Sequence, residues 1–436
     1  MFDSVALTKI QSIILIAIIA VSAVAGYLAL QVGHPQSEDT IKIGVLADLD
    51  ATNGRGVKQW TILAAEEINA EGGLLGKKVE IIAEDHNLES GADMTDVSSA
   101  MTRLVSFYDV DFVLAYVLGE SAMVCQEIAS IHKKILMVFP GATDDFTQRV
   151  LDDYEDYKYS FNTVFNTTST FIGMTDNLLV LREDTGFNKV GYLGEDLAIT
   201  HAVADGLEAF LPNNGFELVY KGKFPLSTVD FSSYFSAAEE AGVEILLPLI
   251  GLDGGIPFIK EYYDRQSPMV VYGGVLHRAA DLEAWESTDG KCEYISVASL
   301  AINAKYPLTS KTLQTYNAYI DRWGETPPGS SIAFDSLRYI LADAIRRVGT
   351  IETEAVIKAL EETSIETTSA KNFVFTESHA VMMGENPNDP NADYMLALLF
   401  QWQNGELVPV YPKKIMEEAG ASYMFPDWSG PWDSIS

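Results

Sequence analysis

Six histidines, two cysteines and a surplus of carboxylates are the chemically capable side chains of this 436-residue chain. His34, His86, His132, His201, His277 and His379 form no i, i+4 pair and no HExxH sequence, so a zinc hydrolase lacks its ligand geometry. Each reads as a surface or turn histidine. Cys125 and Cys292 are too few for a four-thiolate zinc site or a disulfide-dense scaffold. Ser121 stands in Gly119-Glu120-Ser121-Ala122, which lacks the second glycine of a GxSxG elbow, and no GxGxxG follows the first apolar run. Neither a nucleophilic serine nor a bound dinucleotide is indicated, and no cofactor, metal or catalysed reaction is expected. Asp144-Asp145 and Asp152-Asp153 are sequence neighbours whose side chains point apart, as in a solvated acidic loop. Asn386, Asn388, Asp389, Asn391 and Asp393 gather oxygen donors of the kind calcium takes, but the spacing is not that of an EF-hand and turn chemistry accounts for the composition. Asn166-Thr167-Thr168 is a glycosylation sequon; a structural or ligand-facing asparagine is the competing reading.

With 29 Lys+Arg against 62 Asp+Glu, the formal charge of −33 excludes a nucleic-acid-coating role, which needs clustered cations. A hydrophobic fraction of 47% and an aromatic fraction of 11% exclude a disordered chain. The length suits two or three domains. The excess acid reads as a solubility device in salty surroundings, because exposed charges are screened within about 8–10 Å and select ligands poorly.

Residues 10–32 are almost uninterruptedly apolar and, at about 1.5 Å per residue, long enough to cross a bilayer. Lys9 before the run and Glu38-Asp39 after it place the remainder outside the cytoplasm. Ala23-Val24-Ala25 offers a signal-peptidase site as the alternative to a retained anchor. Residues 1–40 are therefore expected to be signal or membrane anchor plus linker, tethering an extracytoplasmic, monomeric protein to the cytoplasmic membrane.

The elements that would position these residues follow. Strand-length apolar runs at 41–47, 79–83, 111–117 and 135–139 alternate with helical patterns at 57–68, 93–107 and 122–132, the signature of a buried parallel sheet. The alternation stops over the polar stretch 141–166. It restarts with helices at 169–181, 200–211, 231–241 and 256–264 and strands at 189–193, 217–220, 244–250 and 269–272. A helix-rich region (311–323, 331–348, 352–361) precedes two apolar alternations joined by Asn404-Gly405, a hairpin signal.

The run IKIGVL, the segment AAEEINAEGGLLG leading to KKVEIIAED, Gly119-Glu120-Ser121, ILMVFPGAT, YEDYKYSF, AVADGL and the closing QWQNGELVPVYP resemble the type I periplasmic substrate-binding proteins. Within that family the branched-chain amino-acid-binding proteins of ABC transporters are the nearest group, and the resemblance covers almost everything from residue 41 onward. It implies an α/β, two-lobed type I periplasmic-binding-protein fold, each lobe a parallel sheet flanked by helices, with three hinge crossovers. The expected division is lobe 1 over 41–162 and 301–372, and lobe 2 over 163–300 and 373–436. The implied partners are a small-molecule ligand and an ABC permease.

Open parallel sheets bind ligands beyond the carboxyl ends of their strands. The candidate loops are 48–53, 119–121 and 141–143 from lobe 1, and 195–200, 252–254 and 273–277 from lobe 2, with Asn166 near the first crossover. The binding candidates are Glu120, Ser121, Gly141, Ala142, Thr143, Asn166, Glu195, Asp196, Thr200, Asp253 and His277. In the resembled family, hydroxyl and amide groups after the third strand and Ala/Thr groups after the fourth grip an amino acid's carboxylate and amine. Ala142, Thr143 and Ser121 match. Glu120 stands where the family usually offers a serine, and a carboxylate there repels a substrate carboxylate unless it points away. The second-lobe carboxylate for the ligand ammonium has no direct match, so Asp253, Glu195 or Asp196 would supply it from other loops. The expectation is a solute-binding protein delivering a branched-chain or other amino acid to an importer. Short amides or urea, or cationic compounds, follow as ligands; a sensory or adhesive surface protein on the same fold is the rival. Cys125 and Cys292 fall on different lobes, where a bridge would lock the hinge, so two buried thiols are expected.

Overall fold

The computed structural model describes residues 40–87, 93–196, 198–250, 254–273, 275–280, 283–298, 307–384, 394–396, 398–411, 413–418 and 420–435. The apolar segment 10–32, Asp253 and the oxygen-rich 386–393 loop lie outside them. No described helix is long and apolar enough to cross a membrane.

The described chain divides into two compact units. The first holds the chain up to Val164 together with Ala333–Thr363 and Phe375–Ala380; the second holds Phe165–Ile332, Ser364–Val374 and Val381–Ser436. The helix Thr312–Trp323, expected in lobe 1, thus groups with the second unit. Thr309 and Thr312 hold its start there by donating hydroxyls to the carbonyls of Thr367 (2.7 Å) and Thr368 (2.6 Å).

The first unit runs β1 (Thr40–Ala47), α1 (Thr52–Ala70), β2 (Lys78–Asp85), α2 (Met94–Thr102), β3 (Phe112–Leu118), α3 (Glu120–His132), β4 (Ile135–Gly141), α4 (Asp144–Asp152), α5 (Tyr154–Tyr157) and β5 (Ser160–Asn162). Its five strands lie in the order β2-β1-β3-β4-β5, all parallel. Helices on both faces explain why IKIGVLA and FVLAYVL read as continuous rather than alternating apolar runs. An Asp93–Asp96 capping box starts α2, and a π-helical turn, Arg103–Phe107, ends it. The stretch 141–166, expected to break the pattern, instead contains two helices and β5. Asp144 and Asp145 occupy the first turn of α4, where the helix dipole favours acid, rather than a loop. The return segment supplies α14 (Ala342–Val348) and α15 (Thr353–Glu361) to this unit, Phe334 meeting the fully buried Trp60 edge-on at 5.9 Å. Helices α12 (Thr312–Trp323) and α13 (Ile332–Asp335) precede them.

The second unit repeats the plan with α6 (Thr167–Thr185), β6 (Lys189–Glu195), α7 (Ala198–Asn213), β7 (Glu217–Phe224), α8 (Ser232–Glu240), β8 (Ile245–Ile250), α9 (Gly255–Arg265) and β9 (Val270–Gly273). The short β10 (Val275–Leu276) and α10 (His277–Ala280) follow, then α11 (Ala284–Ser287) and β11 (Ser296–Ala298). The strands run β7-β6-β8-β9-β11 in parallel, and the sheet continues antiparallel through β14 (Leu399–Gln403) and β15 (Glu406–Tyr411). β12 (Ser364–Ile365) and β13 (Phe373–Val374) pair separately. The β14–β15 turn is Asn404-Gly405 with φ of 53° and 83°, the positive values that a tight hairpin requires.

Both cysteines are free and buried, as expected; burial pushes the Cys125 thiol up to about 12 and that of Cys292 to about 11, which leaves neither as a thiolate. Two histidines depart from the surface reading. His86 is buried with Nε2 2.9 Å from the Tyr116 carbonyl, and His379 is buried against Phe161.

Candidate functional site

The sheet order 2-1-3-4 makes the carboxyl ends of β1 and β3 a topological switch point: the chain leaves β1 toward β2 on one side and continues from β3 to β4 on the other. Such a point opens a crevice in an open α/β sheet. The second unit has the same arrangement at β6 and β8.

After β1 the chain turns at Asp48, whose side chain is fully buried, and enters α1. Gly54 is indispensable to that turn. A Cβ there would lie 1.8 Å from the Asp48 carbonyl oxygen, so the first turn of α1 can rest on the loop backbone only without a side chain. After β3 the chain reverses through Gly119, with φ 49° and ψ −119°, conformations foreign to other residues. The reversal places Glu120 and Ser121 in the first turn of α3, and the two separate cleanly: Ser121 is fully buried and Glu120 is exposed.

The parallel register pairs Leu118 with Gly141. The turns that follow β3 and β4, holding Glu120-Ser121 and Ala142-Thr143, thus leave from adjacent strand ends. Ala142 is buried; Thr143 is half-buried and N-caps α4 without using its side chain as the cap. Its hydroxyl faces Met123 Sδ of α3 at 3.9 Å, a weak acceptor, so Thr143 retains hydrogen-bonding capacity. Gln126 pins this neighbourhood, donating from Nε2 to the Phe146 carbonyl at 2.9 Å and tying α3 to α4. Sequence reasoning passed over Gln126, since one amide in a helical pattern carries no signal.

In the second unit Glu195 ends β6 and is buried, and its carbonyl accepts the Thr200 hydroxyl. That bond commits Thr200 to shaping the turn. Asp196 is exposed and accepts from His201 Nε2 at 2.8 Å, while its backbone N–H donates to the Phe224 carbonyl at 3.0 Å. Asn166 caps α6, its Oδ1 accepting from the Ser169 N–H (2.8 Å) and hydroxyl (2.6 Å). His277 begins α10; Asp253 lies outside the described residues. Alanine at Asn166 is expected to cost about 1 kcal/mol, the usual worth of a cap. Urea unfolding of the variant checks this, and an unchanged midpoint would mean the cap is dispensable.

Among the described residues no group of three or more His, Cys, Asp or Glu side chains could hold a metal ion. What the strand ends of the first unit offer is a helix N-terminus, a buried and a half-buried hydroxyl, and the carboxylates of Asp48, Glu120, Asp144 and Asp145. Two parallel-sheet units of this order, flanked by helices, define the type I periplasmic-binding fold.

The family model for periplasmic binding proteins matches residues 40–385, and the chain belongs to that family. A Leu/Ile/Val-binding protein homolog of Brucella abortus is 25% identical over 407 residues, spanning 88% of this chain and 94% of its own. Among solved structures, a putative branched-chain amino acid ABC transporter protein from Silicibacter pomeroyi superposes with a TM-score of 0.76 at 17% identity, over 90% of this chain and all of the other. The substrate-binding protein of a Streptococcus pneumoniae branched-chain amino acid transporter, solved with isoleucine, gives a TM-score of 0.68 at 17% identity, over 86% of this chain and 100% of its own. Members of the family are solute-binding proteins.

Proposed function

We propose that the chain is the extracytoplasmic solute-binding component of an ABC importer, tethered through residues 10–32, and that it captures a small polar metabolite without catalysing a reaction. A branched-chain or other amino acid leads the list of ligands. The observation that supports this reading is the Leu118–Gly141 register: Ser121 and Thr143 follow the neighbouring strands β3 and β4, next to the switch point. Two hydroxyls and the α3 N–H groups suit a carboxylate. The ammonium would fall to an acidic residue among Glu195, Asp196 and Asp253. Hinge closure then desolvates the ligand's polar groups only when loops of both units supply partners. Short amides or urea come next as ligands, then cationic compounds, which the exposed carboxylate of Glu120 would favour.

Thermal unfolding of the chain against amino acids, amides, urea and polyamines tests the proposal. A ligand at a hundred times its dissociation constant adds about 2.7 kcal/mol, a shift of several degrees for domains of this size. A shift with leucine, isoleucine or valine supports the amino-acid reading. No shift with any compound in the panel would turn the case toward a sensory or adhesive role.

A further inference from the structure

The parallel strands of the first unit all start along one edge, opposite the edge whose turns carry Ser121 and Thr143. The chain enters the unit at that starting edge. Thr40, the first residue of β1, pairs with Lys78, the first of β2. The Lys42 carbonyl accepts the Asp111 N–H at 2.9 Å, and Phe112 pairs with both Ile43 and Ile135, so β3 and β4 begin beside β1. In the order β2-β1-β3-β4 this row of starts is about 15 Å long, at roughly 4.8 Å per strand.

Three large apolar side chains are displayed just ahead of these strands: Leu75 before β2, Phe107 before β3 and Ile131 before β4, exposed by 42%, 43% and 57%. Ser106 Oγ lies 3.5 Å from His132 Nε2, which brings the segments of Phe107 and Ile131 together. Leu75 is displayed at a cost. It holds φ of 54° at the tip of the Leu74–Lys77 turn, a position that asparagine or glycine fills without strain.

Lysines share the edge. Lys78 and Lys133 are exposed and Lys77 is half-buried, and among the described residues none of the three enters an ion pair. The acids around them are mostly engaged. Asp109 pairs with Lys134 at 2.9 Å, Asp111 accepts the Lys42 N–H at 2.8 Å, and Glu71 pairs with Arg338 and Arg346. Glu155 and Glu354 pair with Lys158, and Glu352 caps α15; Glu80 is exposed beside Lys42 in the register. Uncommitted cations among exposed apolar groups set this edge apart in a chain of formal charge −33.

We propose that this edge rests on an anionic membrane surface, with Leu75, Phe107 and Ile131 in the headgroup layer and Lys77, Lys78 and Lys133 against lipid phosphates. The proposal rests on the tether through residues 10–32. Only residues 33–39 separate that run from Thr40, and fully extended they reach at most about 25 Å, so a tethered chain holds this edge near the bilayer. The tether supplies a high effective concentration, and a weak surface contact then suffices. In this pose the turns with Ser121 and Thr143 lie at the edge away from the lipid, toward the solution from which a solute arrives.

The test uses the full chain reconstituted into vesicles of phosphatidylcholine and phosphatidylglycerol, with an environment-sensitive fluorophore on Leu75→Cys, Ile131→Cys or Asp50→Cys. Asp50 is exposed in the turn after β1, at the opposite edge, and burial shields Cys125 and Cys292 from the label. Brominated lipid should quench the labels of Leu75→Cys and Ile131→Cys but not that of Asp50→Cys. Should Leu75→Cys fail to fold, Ile131→Cys reads the same edge from a helix end. A lysine at such a surface is worth about a factor of five in the docked population, so Lys77→Glu, Lys78→Glu and Lys133→Glu together should lower it by about a hundredfold. Quenching should then fall to the Asp50→Cys level, as it should in phosphatidylcholine alone. Equal quenching at all three positions, or quenching indifferent to the lysines and to lipid charge, overturns the docking and leaves the tether standing. A chain that salt washes off the vesicles contradicts the tether, and the docking falls with it.

Discussion

Alanine at both Ser121 and Thr143 is expected to weaken ligand binding by roughly 10²- to 10⁴-fold, since each hydrogen bond to a charged group is worth about 1.5–3 kcal/mol. The two hydroxyls follow adjacent strands, β3 and β4, whose register is made by backbone pairing and not by these side chains. The loss should therefore appear in affinity far more than in unfolding. Glu120→Gln is the informative companion. Beside a substrate carboxylate the change relieves repulsion and tightens binding; beside a cationic ligand it removes an attraction and weakens it. Titration calorimetry on the three proteins separates the cases, and an unaltered affinity in the double variant would remove Ser121 and Thr143 from the site.

Gly54→Ala is expected to be the most damaging single change, costing about 3 kcal/mol or more, because the added methyl meets backbone rather than a flexible side chain. Its Cβ would lie 1.8 Å from the Asp48 oxygen and 2.5 Å from the carbonyl carbon. The first turn of α1 must lift off the loop or the loop must move, and both carry Asp48 away from the end of β1. Chemical unfolding should show a sharply lowered midpoint. Near-wild-type stability would mean the α1 start is freer than its close approach to Asp48 implies.

Much of this architecture is legible in the sequence because buried parallel strands leave long apolar runs. IKIGVLA, FVLAYVL and ILLPLI are strands that need no tertiary information to find. β5 is different. Ser160 and Asn162 are polar yet fully buried, and three residues become a strand only because β4 pairs with them. The π-helical segments Arg103–Phe107 and Ser336–Leu341 are equally silent, since a single π turn departs from the 3.6-residue period over too few residues to read in a sequence.

At the candidate site, strand-end logic singles out Ser121, Ala142 and Thr143, and the register sets the strands they follow, β3 and β4, side by side. The same logic is blind to the local bonds that polar residues make. Asn166 caps a helix and Thr200 bonds the Glu195 carbonyl, and both look in sequence like any polar residue near a strand or crossover. His379 reads as a surface or turn histidine in sequence, yet it is buried, because its contacts Ser160 and Glu361 are remote in sequence and nothing local marks a histidine for burial.

The central claim is the proposal that Ser121, after β3, and Thr143, after the neighbouring β4, hold a small polar metabolite. Its most direct test is calorimetric titration of leucine, isoleucine and valine into the wild-type chain and the Ser121→Ala, Thr143→Ala double variant. The account predicts saturable one-to-one binding to wild type with a negative heat-capacity change, lost by at least about a hundredfold in the variant. Binding of equal strength to both proteins would contradict it.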